Sequence, residues 1–364
     1  MARLWRMGEL IKGRGSTSTL PGRFEVTVSE ATDDGWHRGV EEEFPDVQLR
    51  TQVREEVARS IISRNTSPDI PFSQSVNPYR GCEHGCSYCF ARPSHAYLGL
   101  SPGLDFETRI FAKTNAPELL RKELAKPGYR PSPIALGINT DAYQPVERKL
   151  QLTRRIIEVL ADTRHPFSLI TKNALVTRDI DLLQPMARQK LVRVYFSVTS
   201  LDNRLSAVLE PRASAPHSRL RAIRQLGEAG IPVGVMVAPV IPWVNDHEIE
   251  AVLEAVHVAG AESAGYVLLR LPHEVAPLFK DWLQVHVPDR AAHVMSTIRQ
   301  LRGGKDYDSA FGKRMRGEGV YAELLARRFA LALKRQGFKP GHDRALECGL
   351  FKPPRMHSPQ GELF

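Results

Sequence analysis

Eight residues constrain this chain more than any others. Three of its four cysteines fall within Cys82-Glu83-His84-Gly85-Cys86-Ser87-Tyr88-Cys89. Three residues separate the first pair and two the second. Thiols crowded this tightly in a chain otherwise poor in cysteine hold a metal or a cluster. Gly81 and Gly85 allow the loop to fold back so that the sulfurs point inward.

The rest of the chain has to build a scaffold for that loop. Its 364 residues, 42% of them apolar, suffice for one large or two ordinary domains. No apolar run reaches the roughly 18 residues of a membrane-spanning helix. The N-terminus lacks a secretory apolar segment. Cysteine is too sparse for a disulfide framework, which points to a reducing cytoplasm. A net charge of +9 favours polyanionic partners such as nucleic acid, although many basic proteins bind none.

Short apolar runs predict strands at Gln74 to Tyr79, Pro133 to Ile138, Phe167 to Thr171, Leu191 to Val198, Val233 to Val237 and Gly265 to Leu271. Helical patterns lie between them, at Ala116 to Lys126, Glu147 to Ala161, Asp179 to Gln189, His217 to Ala229 and Asn245 or Asp246 to Ala259. Such alternation means βαβ units and a parallel sheet. About six strands fall short of the eight in a closed barrel. The fold class is therefore α/β, an incomplete TIM-like (β/α)6 barrel; a doubly wound sheet also fits. In both, ligands sit at the carboxyl ends of the strands, and the cysteine loop follows the first strand. Residues 1–71 read as a largely irregular extension and 72–273 as the core. Residues 274–340 read as a helical extension and 341–364 as a flexible, disordered tail.

A structural zinc site wants four protein ligands, and only His84 or distant Cys348 offers the fourth. A [4Fe–4S] cluster held by three cysteines leaves one iron open, as a reactive site requires. The Cys-x-x-x-Cys-x-x-Cys spacing, with Tyr88 before the last cysteine, resembles the radical S-adenosylmethionine (radical SAM) superfamily. The resemblance implies a cluster on Cys82, Cys86 and Cys89, with S-adenosylmethionine chelating the open iron. It also implies an external one-electron donor, of flavodoxin or ferredoxin type. Reductive cleavage would yield a 5′-deoxyadenosyl radical that abstracts hydrogen from the substrate.

From about Phe72 to Pro272 the chain is similar to the spore photoproduct lyase-like branch. The similarity is carried by the cysteine loop, Asn139-Thr140-Asp141, Ile170-Thr171-Lys172 and Phe196-Ser197-Val198. It implies that Tyr88, Thr140, Lys172 and Ser197 bind S-adenosylmethionine. Tyr88 would stack on adenine and Lys172 would pair with the methionyl carboxylate. Thr140 and Ser197 would bond the ribose or the amino group. Taken singly, Tyr88 also suits loop packing, Lys172 a helix start, and the hydroxyls turn capping. Two positions depart from the branch. Photoproduct lyases carry a cysteine at the place of Asn139 and a tyrosine at the place of Phe90, both serving to return hydrogen to the product. Action on the spore thymine dimer is therefore not expected.

Asp141, Glu147, Arg212, Arg270 and His273 are further candidate substrate contacts near strand ends. A helix-terminus role for Glu147 and a surface ion pair for Arg212 are the plainer accounts. Lys313-Arg314-Met315-Arg316, with Arg327, Arg328, Lys334, Arg335 and Lys339, suits either a nucleic-acid backbone or a solvated face. The ending Gln360-Gly361-Glu362-Leu363-Phe364 resembles the peptide by which bacterial repair and replication proteins dock on the DNA sliding clamp, through Gln360, Leu363 and Phe364. The reading that results is a cytoplasmic radical SAM enzyme, lyase-like or hydrogen-abstracting, that acts on nucleic acid. One alternative is a radical SAM enzyme with a peptide or small-molecule substrate. Another is a non-enzymatic, zinc-stabilised nucleic-acid-binding protein.

Overall fold

The structure, a computed structural model, describes residues 13–16, 20–24, 49–338 and 345–354. Its strands are β1 (Gln52–Glu56), β2 (Ile62–Arg64), β3 (Gln74–Val76), β4 (Tyr79–Arg80), β5 (Arg109–Lys113), β6 (Ile134–Leu136), β7 (Phe167–Thr171), β8 (Val192–Ser197), β9 (Val233–Val240) and β10 (Ser263–Leu268). The main sheet runs in the order β10-β9-β8-β7-β6-β3-β2. From β3 to β10 all pairings are parallel, and β2 is an antiparallel edge. Parallel strands added one after another, with no reversal of order, describe an open (β/α)6 barrel. A doubly wound sheet would reverse at a switch point.

The connecting helices explain the burial. Helix α1 (Leu104–Thr108) precedes β5, and α2 (Ala116–Leu124) leads towards β6. The stretch expected as one helix from Glu147 is two, α3 (Glu147–Leu150) and α4 (Leu152–Asp162). They part at Gln151, whose φ is +50°. The break lets the Glu147 carboxylate turn back and accept from the N–H groups of Thr153 and Arg154 at 3.0 and 3.3 Å. Ile156, Ile157 and Leu160 of α4 are fully buried with Leu136, Phe167 and Val194 of the sheet. Helices α5 (Ile180–Arg188), α6 (Asn203–Leu209), α7 (Pro216–Glu228) and α8 (Ile249–Val258) complete the crossovers. Strands sealed on both faces in this way read as apolar runs, which is why they were visible in the sequence.

Beyond β10 lie α9 (Val275–His286), α10 (Pro288–Gln300), α11 (Lys313–Arg316) and α12 (Val320–Gln336). Phe279 and Trp282 of α9 and Val294 and Ile298 of α10 share one core cluster with Cys86 and Tyr88. The helical extension therefore buttresses the cysteine loop.

Two stretches expected to be irregular are not. β1 and β2 lie inside the 1–71 segment, and β1 pairs with β5, itself unforeseen, in a small sheet ordered β1-β5-β4. Its side chains face water, so the sequence shows no apolar alternation there. Part of the expected flexible tail is also packed. Glu347 N–H donates to Lys190 O at 2.9 Å, and Lys352 N–H to Thr163 O at 2.8 Å. The Phe351 ring lies 5.2 Å from His165. These contacts all precede β7 or β8, so Cys348 sits at the amino end of the sheet. The cysteine loop is at the carboxyl end, and Cys348 can be neither a fourth ligand nor a hydrogen donor there.

Candidate metal and cofactor centre

The cysteine loop follows β4. Gly81 and Gly85 adopt φ of +77° and +66°, which turns the chain twice within a few residues. Arg92, fully buried, then fixes the loop from behind. Its Nε donates to Cys86 O at 2.9 Å, and its terminal nitrogens reach Gly85 O, Pro102 O and Gly103 O. Glu107, equally buried, supplies the counter-charge. The same carboxylate accepts from Gly15 N–H and Ser16 N–H at 3.0 and 2.8 Å. Residues expected to form a solvated leader thus strap the loop; Gly15 and Ser16 are buried.

The three thiols lie on one side of this frame. Cys82 and Cys86 are 7% exposed and Cys89 is half-buried. Burial pushes the Cys82 thiol well up, and the charges of Asp141, Cys86 and Cys89 add to that. Burial also pushes the Cys86 thiol up to about 12, with Lys172 opposing and Glu210 and Cys89 reinforcing. Thiols close enough to disfavour one another's ionisation need a shared cation, and an iron cluster reverses that preference. The donor set fits a [4Fe–4S] cluster. Neither candidate fourth ligand for zinc survives. His84 is buried with both ring nitrogens engaged, Nδ1 at 3.3 Å from Asp141 Oδ2 and Nε2 at 3.3 Å from the Asn173 amide. Among the described residues no group of three His, Cys, Asp or Glu side chains gathers as for a single ion.

Opposite the loop stand the ends of β6, β7 and β8. The structure brings Tyr88 and Lys172 together, with Lys172 Nζ 5.8 Å from the ring centre. Among the described residues that ammonium donates no hydrogen bond. Burial lowers its pKa, but Cys86, Glu210 and Asp141 outweigh this and raise it. Ser197 ends β8, is 4% exposed, and has no side-chain partner among the described residues. Thr140 differs: its hydroxyl donates to Tyr79 O at 3.1 Å, the capping role. Asn139 is exposed beside them, its N–H bonded to Asn77 Oδ1 at 2.8 Å.

Several candidate substrate contacts prove to be framework. Asp141 accepts from Tyr143 N–H, Thr171 Oγ1 and Lys172 N–H as well as from His84, tying β6 to β7. Burial would raise its pKa, but His84 and these donors hold it down to about 2. Glu147 is fully buried and caps α4. Arg212 pairs with Glu83 of the loop at 3.1 Å. In the basic run, Arg314 is bound to Asp69 and Lys313 to Glu318. Arg270 lies 5.1 Å over the ring of Phe90, which is 42% exposed. Sequence reasoning missed Arg92, Glu107 and Arg219, and assigned Glu210 no role. Glu210 instead accepts from Tyr88, Thr199 and Arg219 at full burial. No spacing marks these partners; only the fold joins them. The clamp-like residues Gln360, Leu363 and Phe364 lie outside the described residues.

A family model described as the radical SAM superfamily matches residues 76–256. An uncharacterised protein of Mycobacterium tuberculosis is 38% identical over 234 residues, covering 64% of this chain and 68% of that protein. One from Methanocaldococcus jannaschii is 29% identical over 173 residues, covering 48% and 62%. Among solved structures, a cysteine-to-serine mutant of spore photoproduct lyase aligns with a TM-score of 0.55 at 18% identity, covering 79% of this chain and 80% of that one. The same lyase complexed with dinucleoside spore photoproduct aligns with a TM-score of 0.54 at 18% identity over the same shares. At that identity the likeness shows the fold alone.

Proposed function

We propose, from the premise that this chain belongs to the radical SAM superfamily, that it is a hydrogen-abstracting enzyme whose substrate is a nucleic acid. Enzymes of this superfamily use a [4Fe–4S] cluster and S-adenosylmethionine and draw on an electron donor. Bound together, those groups supply a carbon radical able to take hydrogen from an unactivated C–H bond.

The observation that carries the reading is the set of three thiols held by Arg92 and Glu107 opposite a lysine whose ammonium donates no hydrogen bond among the described residues. In this proposal Cys82, Cys86 and Cys89 hold the cluster. Lys172 pairs with the methionyl carboxylate, Ser197 offers its free hydroxyl, and Tyr88 supplies a ring wall. Thr140 keeps acceptor capacity on a hydroxyl already donating to Tyr79. Residues 72–273 form the catalytic core, and α9 and α10 hold the loop from below. The nucleic-acid half is supported by the +9 net charge and by the ligand class of the lyase whose fold this chain shares. Asn139 and Phe90 make a hydrogen-return path like that of the branch unavailable, so the reaction differs from reversal of the spore thymine dimer. The terminal peptide would add docking on a sliding clamp; unchanged retention on purified clamp after deleting residues 360–364 would remove that part.

The test is deuterium transfer into 5′-deoxyadenosine by anaerobically reconstituted protein. Label should arrive from deuterated oligonucleotides. Transfer from labelled peptides or small molecules, with none from nucleic acid, would move the protein to the other substrate class. Zinc and no iron in anaerobically purified protein would remove the radical reading altogether.

A further inference from the structure

Several largely buried arginines among the described residues are paired with carboxylates. Arg92 meets Glu107, Arg219 meets Glu210, and Arg178 meets both Glu147 and Asp179. Arg270, just past β10 at the carboxyl edge of the sheet, breaks the pattern. Among the described residues no carboxylate lies within ion-pair reach of it. Among the described residues its terminal nitrogens meet only the Met315 thioether at 3.7 Å and the Tyr307 phenol at 3.3 Å. Its Nε is buried with no acceptor among the described residues.

The neighbours sharpen the anomaly. Arg302 is 3% exposed and gives its donors to the carbonyls of Lys313 and Leu269, at 2.6 and 2.9 Å. It stands close enough to Arg270 for the two charges to repel. Arg316 lies 4.0 Å over the Tyr266 ring, likewise with no carboxylate partner among the described residues. Three guanidiniums, Arg270 half-buried, Arg302 buried and Arg316 exposed, thus lie along or just past β10 with no carboxylate partner among the described residues. Arg270 is half-buried, and its Nε, shut off from water without an acceptor among the described residues, is donor capacity left unused. Such a cation is waiting for an anion from outside the chain.

Geometry narrows which anion. The Arg270 guanidinium stacks on Phe90, whose ring is 42% exposed and which directly follows Cys89. A planar fork suits the oxygens of a phosphate or a carboxylate. Positive charge beside an open aromatic face is the arrangement by which single-stranded nucleic acid is held, backbone on the charge and base on the ring.

We propose that Arg270, stacked on Phe90 and flanked by Arg302 and Arg316, anchors a backbone phosphate of the substrate strand beside the cysteine loop. The proposal rests on the nucleic-acid reading above. It makes Arg270 a specificity residue that the thiols and Lys172 do not duplicate.

The experiment uses full-length reconstituted protein and fluorescence anisotropy. The probes are a labelled single-stranded oligodeoxynucleotide, its uncharged methylphosphonate counterpart, and an acidic peptide of similar length. Arg270→Met should weaken binding of the charged strand about tenfold or more and lower the log–log salt slope by about one. Its melting temperature should change little, because no carboxylate partner among the described residues is lost and methionine keeps apolar contact with Phe90. Arg270→Lys should fall between, keeping the charge and losing the fork. The methylphosphonate strand should bind both proteins alike. Equal binding of the charged strand by Arg270→Met and wild type would overturn the anchor and leave the nucleic-acid reading standing. Absence of strand binding by the wild type would overturn that reading and the anchor with it. Dependence on Arg270 for the peptide alone would assign a carboxylate ligand instead. A lowered melting temperature with unchanged binding would make Arg270 structural.

Discussion

The phenol of Tyr88 donates to the carboxylate of Glu210, 122 residues further along the chain. That bond joins the cysteine loop to the segment that follows α6, and Glu210 is its hub. Burial would push the Glu210 carboxyl up, but Arg219 and Lys172 hold it below the usual carboxylate range. Glu210→Gln keeps the shape and strands Arg219, a buried charge, without its counter-ion. We expect a loss of about 3–5 kcal/mol in denaturant unfolding. Tyr88→Phe removes one charge-assisted bond and should cost about 1.5–3 kcal/mol. If the two variants unfold at the same midpoint, Glu210 is not the hub.

The cysteines separate by position in the fold. Cys82→Ala, Cys86→Ala and Cys89→Ala should each abolish the broad iron–sulfur absorption after anaerobic reconstitution. Cys348→Ala should retain it in full. Cys348 lies at the opposite end of the sheet, and burial followed by the Glu347 charge pushes its thiol up, away from the reactive thiolate. Iron content per chain is the measurement. A Cys348→Ala protein depleted of iron would contradict the placement.

Lys172 offers a direct reading of the cofactor site. Its ammonium stays charged against burial because Cys86, Glu210 and Asp141 surround it. Lys172→Met should weaken S-adenosylmethionine binding by about 10- to 100-fold, the worth of a charge-assisted contact of about 1.5–3 kcal/mol. Equilibrium dialysis with the reconstituted protein measures it. Iron content should not change, since Lys172 holds no sulfur. Unaltered affinity would leave the methionyl carboxylate without its assigned partner.

The order of strands was legible because β8 and β9 are buried along almost their whole length and β7 at every second residue, so all three are written mainly in apolar residues. β1 was not, because its side chains face water and only its pairing with β5 holds it. The site divides in the same way. Cys82 to Cys89 and Tyr88 are local and could be read from spacing. Arg92 with Glu107, Tyr88 with Glu210, and His84 with Asp141 are joined only when the chain closes on itself. Asp141, Glu147 and Arg212 looked free for substrate in the sequence because Lys172, Arg178 and Glu83, which bind them, lie tens of residues away or more. Arg270 looked like any strand-end arginine until its lack of a carboxylate became visible.

The strap over the loop depends on a missing side chain. A Cβ added to Gly15 would stand 1.7 Å from Gly85 O, an overlap no backbone adjustment of a few tenths can relieve. Gly15→Ala should therefore displace residues 13–16 and remove two N–H donors from Glu107. We expect a stability loss of about 1–3 kcal/mol and faster tryptic cleavage at Arg14, which the wild type protects through bonds to Glu107 O and Thr51. Wild-type cleavage kinetics in the variant would show that the strap does not depend on that contact.

Stability should also respond to pH through His165, far from the thiols. The ring is fully buried, its Nδ1 2.9 Å from Pro166 O and its Nε2 2.8 Å from the Tyr129 hydroxyl. A carbonyl only accepts, so Nδ1 carries the proton, and burial keeps the imidazole neutral. Burial lowers the pKa to about 4, with the Pro166 carbonyl opposing weakly, whereas the unfolded chain titrates near the ordinary 6.5. Between those values the unfolded state binds a proton that the folded state refuses. The contribution is therefore whole above about pH 6.5 and is lost as pH falls from there towards about 4, below which it levels off. The span corresponds to about 3 kcal/mol at most. Denaturant midpoints measured from pH 7.5 to 4 on wild type and His165→Gln isolate it, because other buried histidines contribute equally to both. The difference between the two proteins should be largest at neutral pH and shrink through that window; a constant difference would mean that His165 takes up its proton alike in the folded and the unfolded chain.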